Sequence, residues 1–248
     1  MPIPVRPRFP SPDPNWLIEI TDDGSRTLVR IDSDLSFHSH CGAAAECDHV
    51  YLHNGGCSLE AISDPEQLCP STILEIGFGT GLSMLRTLDW AMRYERPMHY
   101  ISVERSPLRV EILHELKLDH GLHQPALAER FLTWYASCKP SDHAHTFHWE
   151  VTDQHRVELV IDDAQDWIER TDIIADTIYF DPFDPSTNGE LWDSVFLKQL
   201  AKRLRVGGRL VTYCVASEIR RRVEAAGFEV QRVPGPTGGK REVMIATK

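Results

Sequence analysis

The segment IYFDPFDPSTNGELWD, residues 178–193, sets two Asp-Pro pairs around one aromatic ring, Phe183. Asp181 follows the apolar run TIYF, and Asp184 follows the ring. An aliphatic ammonium has no lone pair to offer an electrophile until it loses a proton, and a carboxylate placed at the end of a buried run can take that proton. The same group can hold the nitrogen in line with the carbon it attacks. A flat ring two residues further on can stack on a base, as happens with unpaired nucleotides. The chemistry these residues suggest is transfer to an amine, with Asp181 as the catalytic carboxylate that takes the proton and Phe183 against the substrate. The same residues also suit a plain turn, capped by Asp181 with Phe183 packed inside.

A second motif supplies the other half of a transfer reaction. In LEIGFGTGLSM (74–84) a buried run ends at Ile76 and an amphipathic helix begins after Gly81. Gly77, Gly79 and Gly81, with Phe78 and Thr80 between them, let the backbone approach a ligand, and amides at the start of a helix face it. Packing alone could also require such a turn. Acids decide between the readings. Glu75 precedes the turn, Glu104 ends ISVE, and Asp162 and Asp163 end VELVIDD. In a doubly wound fold these strand ends line one crevice. Glu104 is placed to accept from a ribose diol, and the Asp162–Asp163 pair from an adenine amine. Glu75 is placed to meet an ammonium, directly or through water. S-adenosyl-L-methionine (SAM) carries an amine, a ribose, an adenine and a sulfonium, and fits this set. A dinucleotide fits less well, because the last glycine of its fingerprint is missing and a pyrophosphate disfavours neighbouring acids. No G-K-[ST] follows the turn, which excludes a kinase-type phosphate loop.

Alternating strands and helices must position these groups. WLIEITDDGSRTLVRI (16–31) alternates around Asp23-Gly24 and predicts a hairpin. HVYLHNGG (49–56) reads as a short strand. Strands are expected at 72–76, 99–104, 176–180 and 206–214, two more within 145–162, and a closing pair after Gly227. Helices are expected at 82–93, from Pro107, and at 126–135, 164–170, 191–204 and 218–228. The predicted class is α/β, with a doubly wound, mostly parallel sheet. The predicted layout is a flexible Pro-rich arm over 1–15, a β-rich extension over 16–70 and a Rossmann-like domain over 71–248.

The 248 residues carry a net charge of −11, which disfavours nucleic-acid binding through a general positive field. A local stripe of Lys202, Arg203, Arg205 and Arg220–Arg222 could still meet a phosphate backbone. No apolar run is long enough to span a bilayer, and no signal-peptide core opens the chain, so the expected location is the cytoplasm. The six cysteines are scattered, with no C-x-x-C pair, and read as reduced thiols. Four histidines and two cysteines between 37 and 53 lack ligand spacing, and no metal site is expected.

The motifs together resemble the tRNA aminomethyluridine methyltransferase family, which includes the methyltransferase half of the bifunctional MnmC enzyme and its single-domain relatives. DPFDPSTNGELWDSVFLKQLAKRLRVGGRLVTY is similar to the family's D-x-F-x-P-x-x-N-P-x-x-W … P-G-G signature. IGFGTGLSML resembles G-F-G-T-G-L-N-F-L, and VERSPL resembles E-K-x-P-L. FHSHCGAAAECDHVYLHNGG resembles the family's entry segment, and SEIRRRVEAAGFEVQRVPGPTGGKREVM its ending. Ser83, Pro182 and Asp184 depart from the pattern. The resemblance implies a SAM-dependent Rossmann-like fold. It also implies methylation of the exocyclic amine of 5-aminomethyl-(2-thio)uridine at the wobble position of the tRNA anticodon stem-loop. Asp181 is then the acid at the amine, with Phe183, Glu46, Lys240 and Arg241 near the nucleotide. Other enzymes would install the aminomethyl group, since the family's oxidase half has no counterpart in this sequence. The competing expectation is methylation of a small amine or another nucleobase, which the acidic net charge favours.

Overall fold

The computed structural model describes residues 5–33, 35–58, 69–139 and 144–248. Strands β1 (Arg8–Pro10), β2 (Trp16–Ile20) and β3 (Arg26–Arg30) form a small antiparallel sheet. The β2–β3 turn closes where Thr21 N–H donates to the Ser25 carbonyl at 2.9 Å, with Asp23 Oδ1 accepting from Ser25 N–H at 2.9 Å. This is the predicted hairpin. The predicted flexible arm instead contributes an edge strand, in which Phe9 opposes Ile18. Two prolines bracket that strand, so it is only 3 residues long.

Helix α1 (Ala43–Glu46) runs without a break into a π-helical segment, Cys47–His53. Residues 49–56 are therefore not a strand, and among the described residues the strands of the extension lie within residues 8–30. The aromatic and β-branched residues Val50 and Tyr51 favour strands, but Cys47, Val50 and Tyr51 share one helical face buried in the core. That burial outweighs local preference. Most of the remaining stretch before residue 70 lies outside the described residues.

The main sheet has eight strands in the order β10-β11-β9-β8-β4-β5-β7-β6. Its members are β4 (Thr72–Ile76), β5 (Met98–Glu104), β6 (His145–Thr152), β7 (His155–Ile161), β8 (Ala175–Phe180), β9 (Leu204–Thr212), β10 (Glu229–Pro234) and β11 (Glu242–Thr247). The central strands β7, β5, β4, β8 and β9 are parallel, and antiparallel strands close both edges. Helices α2 (Leu82–Arg93), α3 (Val110–Glu115), α4 (Ala126–Ser137), α5 (Ala164–Arg170), α6 (Ser194–Lys202) and α7 (Ser217–Ala225) cover it. Helix α3 begins later than Pro107, because residue 109 is still extended.

Strand alternation divides the core between the two faces. Ile73, Tyr100 and Tyr179 belong to one apolar cluster with α2 and α4. Leu74, Ile76, Ile101, Ile178 and Phe180 belong to the other, with α5, α6 and α7. Ile18 and Leu28 of the small sheet join the first cluster, so the N-terminal segment packs on the α2 face. The chain builds β4, β5 and β7 outward on one side and then returns to place β8 on the other side of β4. The topological switch point, where open α/β sheets bind ligands, lies between the carboxyl ends of β4 and β8.

Candidate active site

The glycine turn leaves β4 and the Asp-Pro-Phe turn leaves β8, so both open at the switch point. They touch. Asp181 N–H donates to the Ile76 carbonyl at 3.0 Å. Gly77 has φ +97°, and a Cβ there would lie 2.6 Å from the Asp181 carbonyl oxygen. Only glycine allows this approach without moving one turn or the other.

A cavity of about 1280 Å³ spreads from this junction. Asp181, Phe183, Gly77, Phe78, Gly79, Glu104, Asp162, Asp163, Glu46 and Lys240 all line it. Glu75, Thr80, Gly81 and Arg241 are absent from the lining. Glu75 lies beneath the turn, 1% exposed, and accepts from Ser102 Oγ at 2.6 Å. Burial pushes its carboxyl up to about 8, despite the Ser102 bond. Thr80 is buried, with an unpartnered hydroxyl. Gly81 caps α2, and Arg241 is exposed beside Lys240.

Two consecutive carbonyls fix the turn after β8. The Tyr213 hydroxyl donates to Pro182 O at 2.9 Å, and Trp192 Nε1 donates to Phe183 O at 2.8 Å. Trp192 is fully buried, so the anchor is rigid. Tyr51, from the π-helical segment, donates its hydroxyl to Asp181 Oδ1. Burial holds the Asp181 carboxyl well above the usual carboxylate range. The Tyr51 bond opposes that shift, the neighbouring carboxyls of Glu46 and Glu75 add to it, and Lys240 opposes it. Glu46 accepts from Ser39 N–H at 2.7 Å, and burial raises its pKa also. The Lys240 ammonium sits 3.5 Å from the centroid of the Tyr213 ring. Burial lowers its pKa, and Glu46 and Asp181 pull the other way. Asp184 is engaged locally, accepting from Ser186 N–H at 2.8 Å and Oγ at 2.6 Å.

Acids on the far side of the glycine turn are partly committed. Glu104 accepts from Gly79 N–H at 3.2 Å and Ser106 N–H at 2.7 Å. A carboxylate has about four acceptor positions, which leaves room for a diol. Asp163 caps α5 through Gln165 N–H at 2.8 Å and meets Arg105 at 3.3 Å. Asp162 pairs with Arg170.

Residues 126–248 match the model of a family described as S-adenosyl-L-methionine-dependent methyltransferases. The bifunctional tRNA 5-methylaminomethyl-2-thiouridine biosynthesis protein MnmC of Cupriavidus metallidurans is 32% identical over 232 residues, 92% of this chain and 33% of that protein. Its counterpart from Delftia acidovorans is 36% identical over 206 residues, 80% of this chain and 30% of that protein. The chain carries an MnmC-like methyltransferase domain. It spans about a third of the length of the curated relatives it matches. Its fold is shared with MNMC2 from Aquifex aeolicus, at TM-score 0.74 and 23% identity over 93% of this chain and 69% of that one. A spermidine synthase from Thermotoga maritima has the same fold, at TM-score 0.54 and 17% identity over 97% of this chain and 72% of that one.

The cofactor of this domain is SAM, and the cavity suits it. Bare glycine backbone forms the floor, and carboxylates stand at the ends of β5 and β7. Sequence reasoning missed Tyr51, Tyr213, Phe37 and Trp16. Tyr213 follows the end of β9, next to β8, so its strand-end position was a usable signal. Nothing local marks Tyr51, whose partner lies 130 residues away. Among the described residues no cluster of His, Cys, Asp and Glu could hold a metal ion. No described helix is long and apolar enough to cross a membrane.

Proposed function

We propose that this domain methylates the primary amine of a 5-aminomethyl-(2-thio)uridine at the wobble position of tRNA. The observation that carries the reading is Asp181, a half-buried carboxylate of raised proton affinity that lines the cavity at the switch point. It shares its cavity with the glycine turn on one side and Phe183 on the other. The similarity to the tRNA 5-methylaminomethyl-2-thiouridine biosynthesis proteins MnmC supports the tRNA substrate.

Gly77, Phe78 and Gly79 would hold SAM from below, Glu104 its ribose, and Asp162 with Asp163 its adenine end. Thr80 and Gly81 shape the turn, and Glu75 supports it from beneath through Ser102. When bound, SAM supplies an electrophilic methyl carbon. Asp181 accepts a proton from the incoming ammonium and so frees the nitrogen lone pair. Its raised pKa suits that task better than an ordinary aspartate's would, because a stronger base takes the proton more readily. Phe183 offers a flat face to the base. Glu46 and Lys240 set the local charge, and Arg241 stands outside as a contact for the nucleotide's phosphate. Upstream enzymes that install the aminomethyl group would act before this domain, and the cytoplasm is where they would meet it.

A small-amine substrate is the second reading, favoured by the net charge of −11. Incubation with labelled SAM and tRNA from a strain lacking the modification, followed by nucleoside analysis, separates the two. Label on 5-aminomethyluridine is the expected result. Label confined to small alkylamines would overturn the tRNA assignment.

A further inference from the structure

An aromatic row leads away from Asp181 along the cavity wall. Phe183 stands two residues from Asp181. Its ring meets Phe37 edge-to-face, with centroids 5.2 Å apart and planes at 76°. Phe37 in turn meets Trp16 with centroids 5.0 Å apart and planes at 63°. The Arg30 guanidinium lies 5.8 Å from the Trp16 centroid, within cation–π range. All four residues line the cavity. Trp16 and Arg30 are register partners on β2 and β3, so the small N-terminal sheet presents them together.

We propose that Trp16, Phe37 and Arg30 form a second nucleotide subsite, which takes the base and phosphate next to the methylated nucleotide. This rests on the nucleic-acid reading above and extends it. Three features point to a nucleotide. The rings are half-buried and still reach the cavity, whereas a row that only filled the core would be closed off. Stacking on an aromatic face tolerates any base, which suits a flanking position. Arg30 brings a cation to the same place. Its partner Asp32, at 2.9 Å, is 69% exposed, and such a surface pair is weak enough for a phosphate to displace. The chain thereby gains a local cationic and aromatic contact despite its acidic total. The small sheet acquires a function: it holds the neighbour while the switch point holds the target.

The test compares two substrates, free 5-aminomethyluridine and a tri-ribonucleotide with that nucleoside at its centre. Trp16→Ala should raise KM for the trinucleotide by about ten-fold or more, as loss of one stacked base does. KM for the free nucleoside, kcat and SAM affinity should stay within about two-fold, and Trp16→Phe should restore most of the trinucleotide KM. Arg30→Gln should weaken trinucleotide binding in a way that fades as salt is raised. Equal changes for both substrates, or weakened SAM binding, would make the row a cofactor cover and overturn the subsite. Fluorescence anisotropy with an unmodified tri-uridylate keeps this result separate from the reaction assignment. Tri-uridylate binding that depends on Trp16 supports the subsite even if no amine on RNA is methylated. Active enzyme with no such dependence rejects the subsite alone.

Discussion

The Tyr51 hydroxyl donates to the Asp181 carboxylate across 130 residues of chain, joining the π-helical segment to the turn after β8. Asp181 thus sits between a donor that favours its charged form and a burial that disfavours it. The acid is held in one orientation while keeping a high proton affinity. π-Helical segments are uncommon and concentrate at functional sites. This one brings the donor into position.

Tyr51→Phe removes a bond to the charged form and leaves the ring in place. The Tyr51 bond lowers the Asp181 pKa, so its loss moves that pKa further up. The acid limb of the kcat/KM profile should shift to higher pH, and kcat/KM below the limb should fall about ten-fold, in keeping with loss of a hydrogen bond to a charged group. An unchanged limb would remove Tyr51 from the proton chemistry.

Lys240→Met should move the same limb in the same direction. Lys240 also lowers the Asp181 pKa, through charge rather than a hydrogen bond. Both residues act on one carboxyl, so the double variant should depart from the sum of the single effects. A double-mutant cycle on the pH profile reads this directly.

Asp181→Asn should retain SAM binding, measured by calorimetry, and lose at least about 10²-fold in turnover, the usual contribution of a placed acid–base group. The amide has nearly the same shape, so the turn should hold. Retained turnover would take the proton transfer away from this residue.

The parallel centre of the sheet was legible because TILEI, VELVI and DTIYF are short apolar runs followed at once by Gly or Asp. A strand buried on both faces requires that composition. Glu104, Asp162 and Asp181 were legible for the same reason, since each closes or follows such a run, whereas Glu46, on a helix, was placed by resemblance alone. The residues 47–53 were not legible. Val50, Tyr51 and Leu52 have strand-like types, and only burial of their helical face decides the outcome. The strand Arg8–Pro10 was hidden by its prolines. Lys240 was placed by resemblance alone. No spacing in the sequence announces that it will lie over Tyr213, just after β9, and face Glu46 from α1.

Glu75 should make stability fall as pH rises. Its carboxyl is held at about 8 against an ordinary 4.5. The folded state therefore binds a proton that the unfolded state gives up across that interval. The contribution is complete below about 4.5 and is lost as pH climbs towards 8. At roughly 1.4 kcal/mol per unit, the loss amounts to a few kcal/mol. Glu75→Gln can still accept from Ser102 and cannot ionise. Urea unfolding across this interval should show a flatter profile for the variant. Parallel profiles would mean that Glu75 is charged in the native protein.

Gly77→Ala should have a wider effect than Asp181→Asn. The new methyl would stand 2.6 Å from the Asp181 carbonyl, at a φ of +97° that alanine rarely adopts. The obstacle is backbone, so no side chain can rotate away, and one of the two turns has to move. Strain of this kind costs about 1–3 kcal/mol. The glycine turn floors the cavity and the other turn carries Asp181, so displacement of either should impair SAM affinity and turnover together. Asp181→Asn should separate them, keeping affinity and losing turnover. Calorimetric SAM affinity beside single-turnover rates for the two variants distinguishes a shared scaffold from two independent sites, and a Gly77→Ala enzyme with normal SAM affinity would show that the turns are not coupled.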